Sequence, residues 1–200
     1  VPFAVESALP DGTSGAGDPV DWLSNGSIAE RRMRGLGPVS VRGHRVDIEF
    51  VGARGSASAV PFDESDDYVN IYRGGADPIE YLRSYTTLHY RNLWDGIDLV
   101  LKGVGSGLKY EFVVHAGADV AQIRLRYVGA DAVGIEAGGV VIGTTRGSIH
   151  DAPPVVFQHG EDGHVADTVV ASVRLQGNDL TFDVGEYDSS RDLIIDPTLV

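Results

Sequence analysis

Apolar and polar residues alternate along much of this chain, and the alternation predicts β-strands from about residue 36 onward. In residues 108–114 every second side chain is apolar, whereas Lys109 and Glu111 fall on the opposite face. A period of two residues is typical of a strand with one buried face. Residues 46–50 and 123–127 repeat the same alternation. These segments are therefore predicted to be half-buried strands.

Turn-forming residues separate the predicted strands at short intervals. Glycines within 103–107 predict a chain reversal, Gly138-Gly139 predicts a hairpin, and residues 176–179 predict a second hairpin. Residues 193–195 form a short apolar run that we predict to be a buried strand. Strands spaced so closely are typical of antiparallel sandwiches and barrels. We therefore predict an all-β, antiparallel β-sandwich-like fold with at most one or two short helices.

The chain divides into two regions by composition. Residues 1–35 are rich in Gly, Pro, Asp and Ser, and we predict an irregular N-terminal segment followed by a β-rich module over residues 36–200. Residues 46–53 and 123–130 are similar, and if they are an internal repeat the module consists of two packed β halves, residues 36–105 and 106–200. The alternative is coincidence between two alternating strands.

Two short segments carry helix signals. Residues 28–33 follow Ser27, which is a suitable N-cap, and residues 77–82 begin with Asp-Pro, in which Asp77 caps and Pro78 occupies the first helical position. We predict one helical turn or slightly more at each of these places.

Charge and cysteine content exclude several function classes. The formal net charge is −13, from 16 basic and 29 acidic residues, and such a surface repels nucleic-acid phosphates and anionic lipids. The absence of cysteine excludes disulfides, thiol catalysis and thiolate metal sites. No apolar run approaches the length that spans a bilayer. Residues 1–7 lack the features of a signal peptide, which we expect to be absent or removed.

Two acidic groups are candidates for binding a hard cation. The first combines four carboxylates in five residues: Asp63, Glu64, Asp66 and Asp67. The second, near the C-terminus, consists of Asp183, Asp188, Asp192 and Asp196. Calcium takes oxygen ligands from such clusters, although neither has the spacing of an EF-hand loop. The first group is thus a candidate Ca²⁺ site, and the alternative is a solvated acidic loop.

Catalytic signatures are weak. No Gly-x-Ser-x-Gly elbow or His-Glu-x-x-His motif occurs. Asp95 and Asp98 resemble a glycosidase pair, but Asp95-Gly96 also predicts a turn. We expect His89 to be a packed or hydrogen-bonded side chain. Several aromatic residues could instead form a surface that stacks on carbohydrate: Trp22, Trp94, Tyr68, Tyr72, Tyr81, Tyr85 and Tyr90.

Five segments together resemble an uncharacterised bacterial and archaeal domain that precedes SBBP-type β-propeller repeats in large secreted surface proteins. They are residues 69–78, 90–100, 108–114, 117–131 and 185–197. The resemblance covers roughly residues 68–200, and the first 40 residues match only loosely. It implies an extracellular or cell-surface location and a role in adhesion or as a scaffold, and it supplies no catalytic residues.

These observations favour a non-enzymatic extracellular structural or interaction module that caps or presents a larger repeat protein. Its expected partners are β-propeller or other repeats of the same polypeptide, together with cell-surface glycans or proteins, and not nucleic acid or a membrane. No cofactor is expected apart from Ca²⁺. The alternative is a calcium-stabilised adhesive or carbohydrate-binding module, and a more remote alternative is a hydrolase. A cleft that gathers a histidine and two carboxylates would favour the hydrolase.

Overall fold

The computed structural model describes residues 2–10, 41–72, 77–104, 107–160 and 163–199. These residues form sixteen strands and a single 3-10 helix, so the predicted all-β fold with very little helix is confirmed. In this described part of the chain, no helix is long and apolar enough to cross a membrane.

The strands follow one another with short connections, as the turn signals predict. Their bounds are β1 Pro2–Pro10, β2 Val41–Phe50, β3 Ala59–Ile71, β4 Ile79–Trp94, β5 Ile97–Val104, β6 Gly107–Val114, β7 Leu125–Val128, β8 Ala132–Glu136, β9 Gly139–Thr144, β10 Gly147–Asp151, β11 Val155–His159, β12 Val165–Val169, β13 Ala171–Gln176, β14 Asp179–Val184, β15 Leu193–Asp196 and β16 Thr198–Leu199. The 3-10 helix spans Val120–Gln122, between β6 and β7.

Two antiparallel sheets account for these strands. The smaller sheet has the order β1-β2-β7-β14-β13. The larger sheet follows the path β12-β11-β15-β6-β16-β10-β9-β8. Along its other edge β6 pairs with β5, which pairs with β4, which pairs with β3. The strands β15 and β16 lie one after the other along the same edge of β6, so the C-terminal strands are central to the larger sheet.

The two sheets pack face to face around aromatic side chains. Phe112 of β6 has no exposed surface, and its ring centre lies 6.0 Å from that of Phe182 and 6.4 Å from that of Phe50, both in the smaller sheet. The period-two pattern in β6 is confirmed, because Tyr110 and Val114 are buried beside Phe112. The interior therefore forms one hydrophobic cluster that draws side chains from both sheets.

The proposed halves, residues 36–105 and 106–200, contribute to both sheets. The similar segments are neighbours: β2 and β7 pair antiparallel, with Ile48 opposite Tyr127. After β7, Gly129 has φ +90°, and a Cβ there would lie 2.6 Å from the Arg45 carbonyl oxygen. Only glycine fits this close approach. The two proposed halves thus contribute side chains to one hydrophobic core.

The predicted hairpins are present. The turn between β8 and β9 consists of Ala137-Gly138, one residue before the predicted pair, and both residues have positive φ. Positive φ at two successive positions is typical of a type I′ hairpin turn. Gly177-Asn178 joins β13 to β14, which pair antiparallel. The strands β5 and β6 also pair antiparallel, on either side of the predicted chain reversal. Residues 193–195 form a buried strand, as predicted.

Two predictions about irregular and helical structure are wrong. The sequence predicts an irregular segment 1–35, but Pro2–Pro10 form β1, which pairs with residues 41–49 of β2. The rest of that segment, including the helix predicted at 28–33, lies outside the described residues. The helix predicted at 77–82 is instead the start of β4. A single helical turn is unstable without burial, whereas Ile79 and Leu82 gain pairing partners on β3.

Candidate functional site

The most distinctive surface is a two-stranded ribbon formed by the far ends of β3 and β4. The strand β4 pairs with β5 only from Thr87 onward, whereas its earlier residues pair with β3 alone. Among the described residues β3 pairs only with β4. We call residues 62–72 and 77–86 the arm. Because each of its strands has one neighbour, the arm extends beyond the packed sandwich.

Large apolar side chains are concentrated on the arm. Of the fourteen exposed large hydrophobic residues in the described part of the chain, eight belong to the arm. They are Phe62, Tyr68, Val69, Tyr72, Ile79, Tyr81, Leu82 and Tyr85. A soluble protein seldom leaves so many large apolar side chains together in water without a binding role.

Two irregularities in pairing shape the arm. Glu64 pairs with Tyr85 and Tyr68 pairs with Arg83, so three residues of β3 face a single residue of β4. Tyr81 has φ +58°, and its backbone N–H donates to the Asn70 side chain at 2.8 Å. This bulged geometry brings the Tyr68 and Tyr81 ring centres within 5.1 Å of each other. Bulges of this kind redirect side chains out of the regular alternation.

The four candidate calcium ligands all lie in β3, on the bulged side of the arm. Asp63 accepts a hydrogen bond from the Thr87 hydroxyl at 2.7 Å, and Glu64 forms an ion pair with Arg83. Asp67 accepts a bond from the neighbouring Ser65 hydroxyl, while Asp66 has no polar partner among the described residues. Nowhere in the described ranges do three His, Asp or Glu side chains form a group able to hold a metal. The Ca²⁺ site stays a prediction.

An open cavity of about 240 Å³ lies on the same side of the arm. We call it the arm pocket, and it is lined by Glu64, Ser65, Asp66, Asp67, Tyr68, Tyr81 and Arg83. Its wall therefore combines two aromatic rings with three carboxylates and one guanidinium. Such a surface can stack on a ligand through the rings and bind it through the charges.

The C-terminal acidic residues do not gather into one site. Each forms an ion pair with a different cation: Asp183 with Arg174, Asp188 with Arg191, Asp192 with His115 and Asp196 with Lys109. Carboxylates that are individually paired on separate elements support the sheet and its turns, and they do not form a shared cation cage.

A chain of hydrogen-bonded histidines and carboxylates lies at the base of the arm. His89 of β4 and His115, just after β6, both contact the Asp98 carboxylate on β5, with N–O distances of 3.0 and 3.3 Å. The other ring nitrogen of His115 lies 3.1 Å from Asp192, just before β15. The second Asp98 oxygen accepts the N–H of Asn92 at 2.7 Å, inside a bulge of β4. The prediction that His89 is hydrogen-bonded is confirmed.

Hydrogen bonds and opposite charges favour the ionised forms of Asp98 and His115 in this network. Burial alone would raise the pKa of Asp98, but bonds from the Asn92 N–H and from the two histidines outweigh it and lower that pKa. Burial would lower the pKa of His115, but the contacts with Asp192 and Asp98 raise it. The sign of each shift favours a carboxylate beside an imidazolium.

The network lacks a nucleophile in the described part of the chain. The hydrogen bonds of its four side chains reach one another and the backbone N–H groups of Asn92 and Ala116, but no Ser or Thr hydroxyl. A triad needs such a hydroxyl beside the histidine. Asp95, the other member of the supposed glycosidase pair, forms an ion pair with Arg54 at the surface. The geometry therefore ties β4, β5, β6 and β15 together.

Replacing His115 with glutamine should destabilise the protein more at acid pH than at alkaline pH. The raised pKa of His115 contributes stability that is fully present below its ordinary value of 6.5 and is lost as pH rises through the folded value. We expect a loss of about 1 kcal/mol or less at pH 5.5, because the ring is partly exposed, and a smaller loss at pH 8.5. Chemical denaturation at both pH values measures the difference, and equal losses would contradict the ionic role.

A second polar cluster is buried between the sheets. Asp151, at the end of β10, is only 3% exposed and accepts hydrogen bonds from the hydroxyls of Tyr110 in the larger sheet and Tyr127 in the smaller sheet. Burial raises the pKa of Asp151 to about 6, although the two tyrosine bonds oppose the shift. Its other oxygen has no hydrogen-bond partner among the described residues. The cluster is a proton-binding site inside the core.

The candidate carbohydrate-stacking aromatics separate into two groups. Trp94 is buried, and its indole N–H donates to the Val51 carbonyl, so it is unavailable to a ligand. Tyr90 packs partly buried against the core, and Trp22 lies outside the described residues. The remaining tyrosines are the exposed ones on the arm: Tyr68, Tyr72, Tyr81 and Tyr85.

One family model matches residues 18–198, and its description is a domain of unknown function, DUF7948. No curated protein and no solved structure matches the chain.

Proposed function

The chain belongs to the DUF7948 family, whose function is unknown, and we propose that it acts as a non-enzymatic structural and interaction module of a larger extracellular or surface protein. In this proposal the arm is the binding surface. The sandwich holds the arm in place, and the histidine–aspartate network fixes its base.

The observation that carries the proposal is an apolar ribbon that has no partner among the described residues outside its own two strands. The arm presents eight exposed large hydrophobic residues on a hairpin that has one neighbour per strand. A two-stranded ribbon is marginally stable in water by itself. Both its apolar side chains and its free strand edges gain stability when a partner covers them. A partner surface is therefore the simplest physical reason for this arrangement.

The proposed setting rests on the resemblance to domains that precede β-propeller repeats. Residues 69–78 carry part of that resemblance, and residues 69–72 and 77–78 belong to the arm. Arrays of repeats need terminal units that cover their exposed apolar ends. We propose that the arm contacts β-propeller or other repeats of the same polypeptide, with cell-surface proteins or glycans as further partners.

Replacing one apolar residue of the arm should weaken this contact at least tenfold. Ile79→Ser removes an aliphatic side chain from the arm, and Ile135→Ser removes a side chain of the same type and nearly equal exposure, 49% against 48%, from β8. We expect only Ile79→Ser to weaken binding of this chain to the rest of its polypeptide supplied separately, as measured by calorimetry.

Hydrogen exchange provides a second measurement of the proposed contact. The arm amides should exchange more slowly in the larger protein than in this chain alone, because pairing and burial protect them. Equal exchange in both, together with equal binding of the two serine variants, would contradict the proposal.

The arm pocket also favours the alternative of a calcium-stabilised adhesive or carbohydrate-binding module. The Tyr68 and Tyr81 rings lie beside carboxylates, an arrangement that suits a sugar ring and its hydroxyls. This alternative predicts a melting temperature that falls on adding a chelator, and binding to a glycan array that Tyr81→Ser abolishes. A melting temperature that is unchanged by chelator would exclude stabilisation by calcium. A glycan array without hits would exclude carbohydrate binding.

A further inference from the structure

The charges on the arm are strongly one-sided. The described residues of the arm include one basic side chain, Arg83, and six acidic ones. The acidic residues are Asp63, Glu64, Asp66, Asp67, Asp77 and Glu80. An apolar partner surface without positive charge would leave most of these carboxylates near the contact and poorly solvated. The arm therefore suits a partner that presents cations among its apolar groups.

The arm pocket concentrates this negative charge beside aromatic rings. Arg83 is already paired with Glu64, so the carboxylates of Asp66 and Asp67 remain without a cation among the described residues. The adjacent rings of Tyr68 and Tyr81 are 58% and 71% exposed. A guanidinium or ammonium group placed against a ring face is attracted by the π-electrons as well as by nearby carboxylates.

We infer that the arm docks a partner protein by receiving an arginine or lysine side chain in the arm pocket while the partner's apolar residues cover the neighbouring hydrophobic side chains. This inference rests on the proposed function and adds the chemistry of the partner. A second copy of this chain does not fit the role, because two chains of net charge −13, each with an acidic arm, repel each other. Arginine is favoured over lysine, since its planar group both stacks on tyrosine and pairs with carboxylates.

Two peptides that differ only in charge test this inference. The first is an eight-residue peptide of alternating valine and arginine, and the second replaces each arginine with citrulline, which has nearly the same shape without the charge. We expect the arginine peptide to bind the chain at least tenfold more tightly, with chemical-shift changes centred on Tyr68 and Tyr81. Raising the salt concentration should weaken this binding, because charge pairs at the surface are screened.

Two double variants that each remove two carboxylate charges show where on the chain the arginine peptide binds. The double variant Asp66→Asn, Asp67→Asn should lose at least fivefold in affinity for the arginine peptide. The control Asp131→Asn, Glu136→Gln removes two exposed charges next to and within β8 and should bind the peptide as the natural chain does. If both double variants lose affinity equally, the effect is the general field of an acidic protein, and the pocket assignment is wrong.

Other outcomes overturn the inference without affecting the proposed function. Equal binding of the arginine and citrulline peptides would show that the arm recognises apolar residues alone. If calcium competes with the peptide, and calcium binding is lost in the double variant Asp66→Asn, Asp67→Asn, the pocket is a metal site. A neutral oligosaccharide that displaces the peptide would assign it to carbohydrate. In contrast, an Ile79→Ser variant that binds the partner as tightly as the natural chain would contradict the proposed function itself.

Discussion

A chain that ends before Leu193 is expected not to fold cooperatively. The strand β15 lies between β11 and β6 in the larger sheet, and Leu193 and Ile195 have no exposed surface. Burial of a large aliphatic side chain contributes about 1.5–3 kcal/mol. Loss of these side chains and of both strand ladders is comparable with the whole stability of a domain, about 5–15 kcal/mol.

The measurement is thermal unfolding followed by circular dichroism, together with proton–nitrogen correlation spectra. The truncated chain should show no cooperative transition and poorly dispersed amide signals. A soluble truncated product that melts cooperatively would count against this expectation, and so against the central position of β15.

A point variant measures how much one buried side chain of β15 contributes to the free energy of unfolding. Ile195→Ala should destabilise the chain by about 2–5 kcal/mol, since it leaves a cavity at a fully buried site. The control is Val155→Ala on the adjacent β11, where the side chain is 56% exposed, and the expected change is within about 0.5 kcal/mol. Chemical denaturation measures both.

The free energy of unfolding should fall by about 2 kcal/mol as pH rises from 4 to 7 because of Asp151 alone. The pKa of Asp151 is about 6 in the folded protein, against an ordinary value of 3.8. A group whose folded pKa is raised contributes stability that is complete below the unfolded pKa and is lost as pH rises through the folded pKa. The loss for Asp151 thus occurs mainly between about pH 4 and 6, where the carboxyl is ionised in the unfolded chain but still protonated in the folded one.

Asp151→Asn should remove this pH dependence, because an amide does not titrate. The control Asp179→Asn replaces an aspartate whose pKa is lowered, first by its hydrogen bonds from Arg126. The contribution of Asp179 is present above its ordinary pKa and is lost only at more acid pH, so the slope between pH 4 and 7 should be unchanged in that variant.

Denaturant titrations at half-unit pH steps test the Asp151 assignment. Tyr110→Phe gives an independent check, since loss of a donor to the carboxylate should move the midpoint of the pH dependence upward. If Asp151→Asn retains the slope of the natural chain, the buried carboxyl is not its source.

These two effects and the arm belong to different parts of the molecule. The central strands and the buried Asp151 cluster determine whether the sandwich folds, whereas the described residues of the arm pair only between β3 and β4. Variants of exposed arm residues are therefore expected to change binding with little change in stability. Because such variants should remain folded, a change in their affinity reports on the binding contact itself.

Much of the candidate surface was visible in the sequence only as isolated signals. The sequence predicts a Ca²⁺ site at residues 63–67, with a solvated acidic loop as the alternative, and stacking candidates among the arm tyrosines. Asp77 and Pro78 predict a helix over residues 77–82, although Ile79, Tyr81 and Tyr85 fall on one face of a period of two that only Arg83 interrupts, which is a weak signal for β4. Pairing with β3, the strand that directly precedes β4 in the chain, outweighed the local capping signal.

The buried polar clusters had no comparable signal. His89, His115 and Asp192 lie far apart in the sequence, and each is unremarkable among its neighbours. The pKa of Asp151 is raised because the packing of the two sheets buries its carboxyl, on which Tyr110 and Tyr127 converge from opposite sheets.

Local patterning predicts many of the strands, the hairpins and the buried β15, because side-chain alternation and turn chemistry act over a few residues, but it misses β1 and the start of β4. It also excluded thiol chemistry and made nucleic-acid binding unfavourable, since those conclusions depend on residue types alone. The sheet order, the extension of the arm beyond β5 and the two polar clusters arose from pairing across long separations. Such contacts depend on which strands meet in the folded core, and a pattern of period two fits many different pairings equally well.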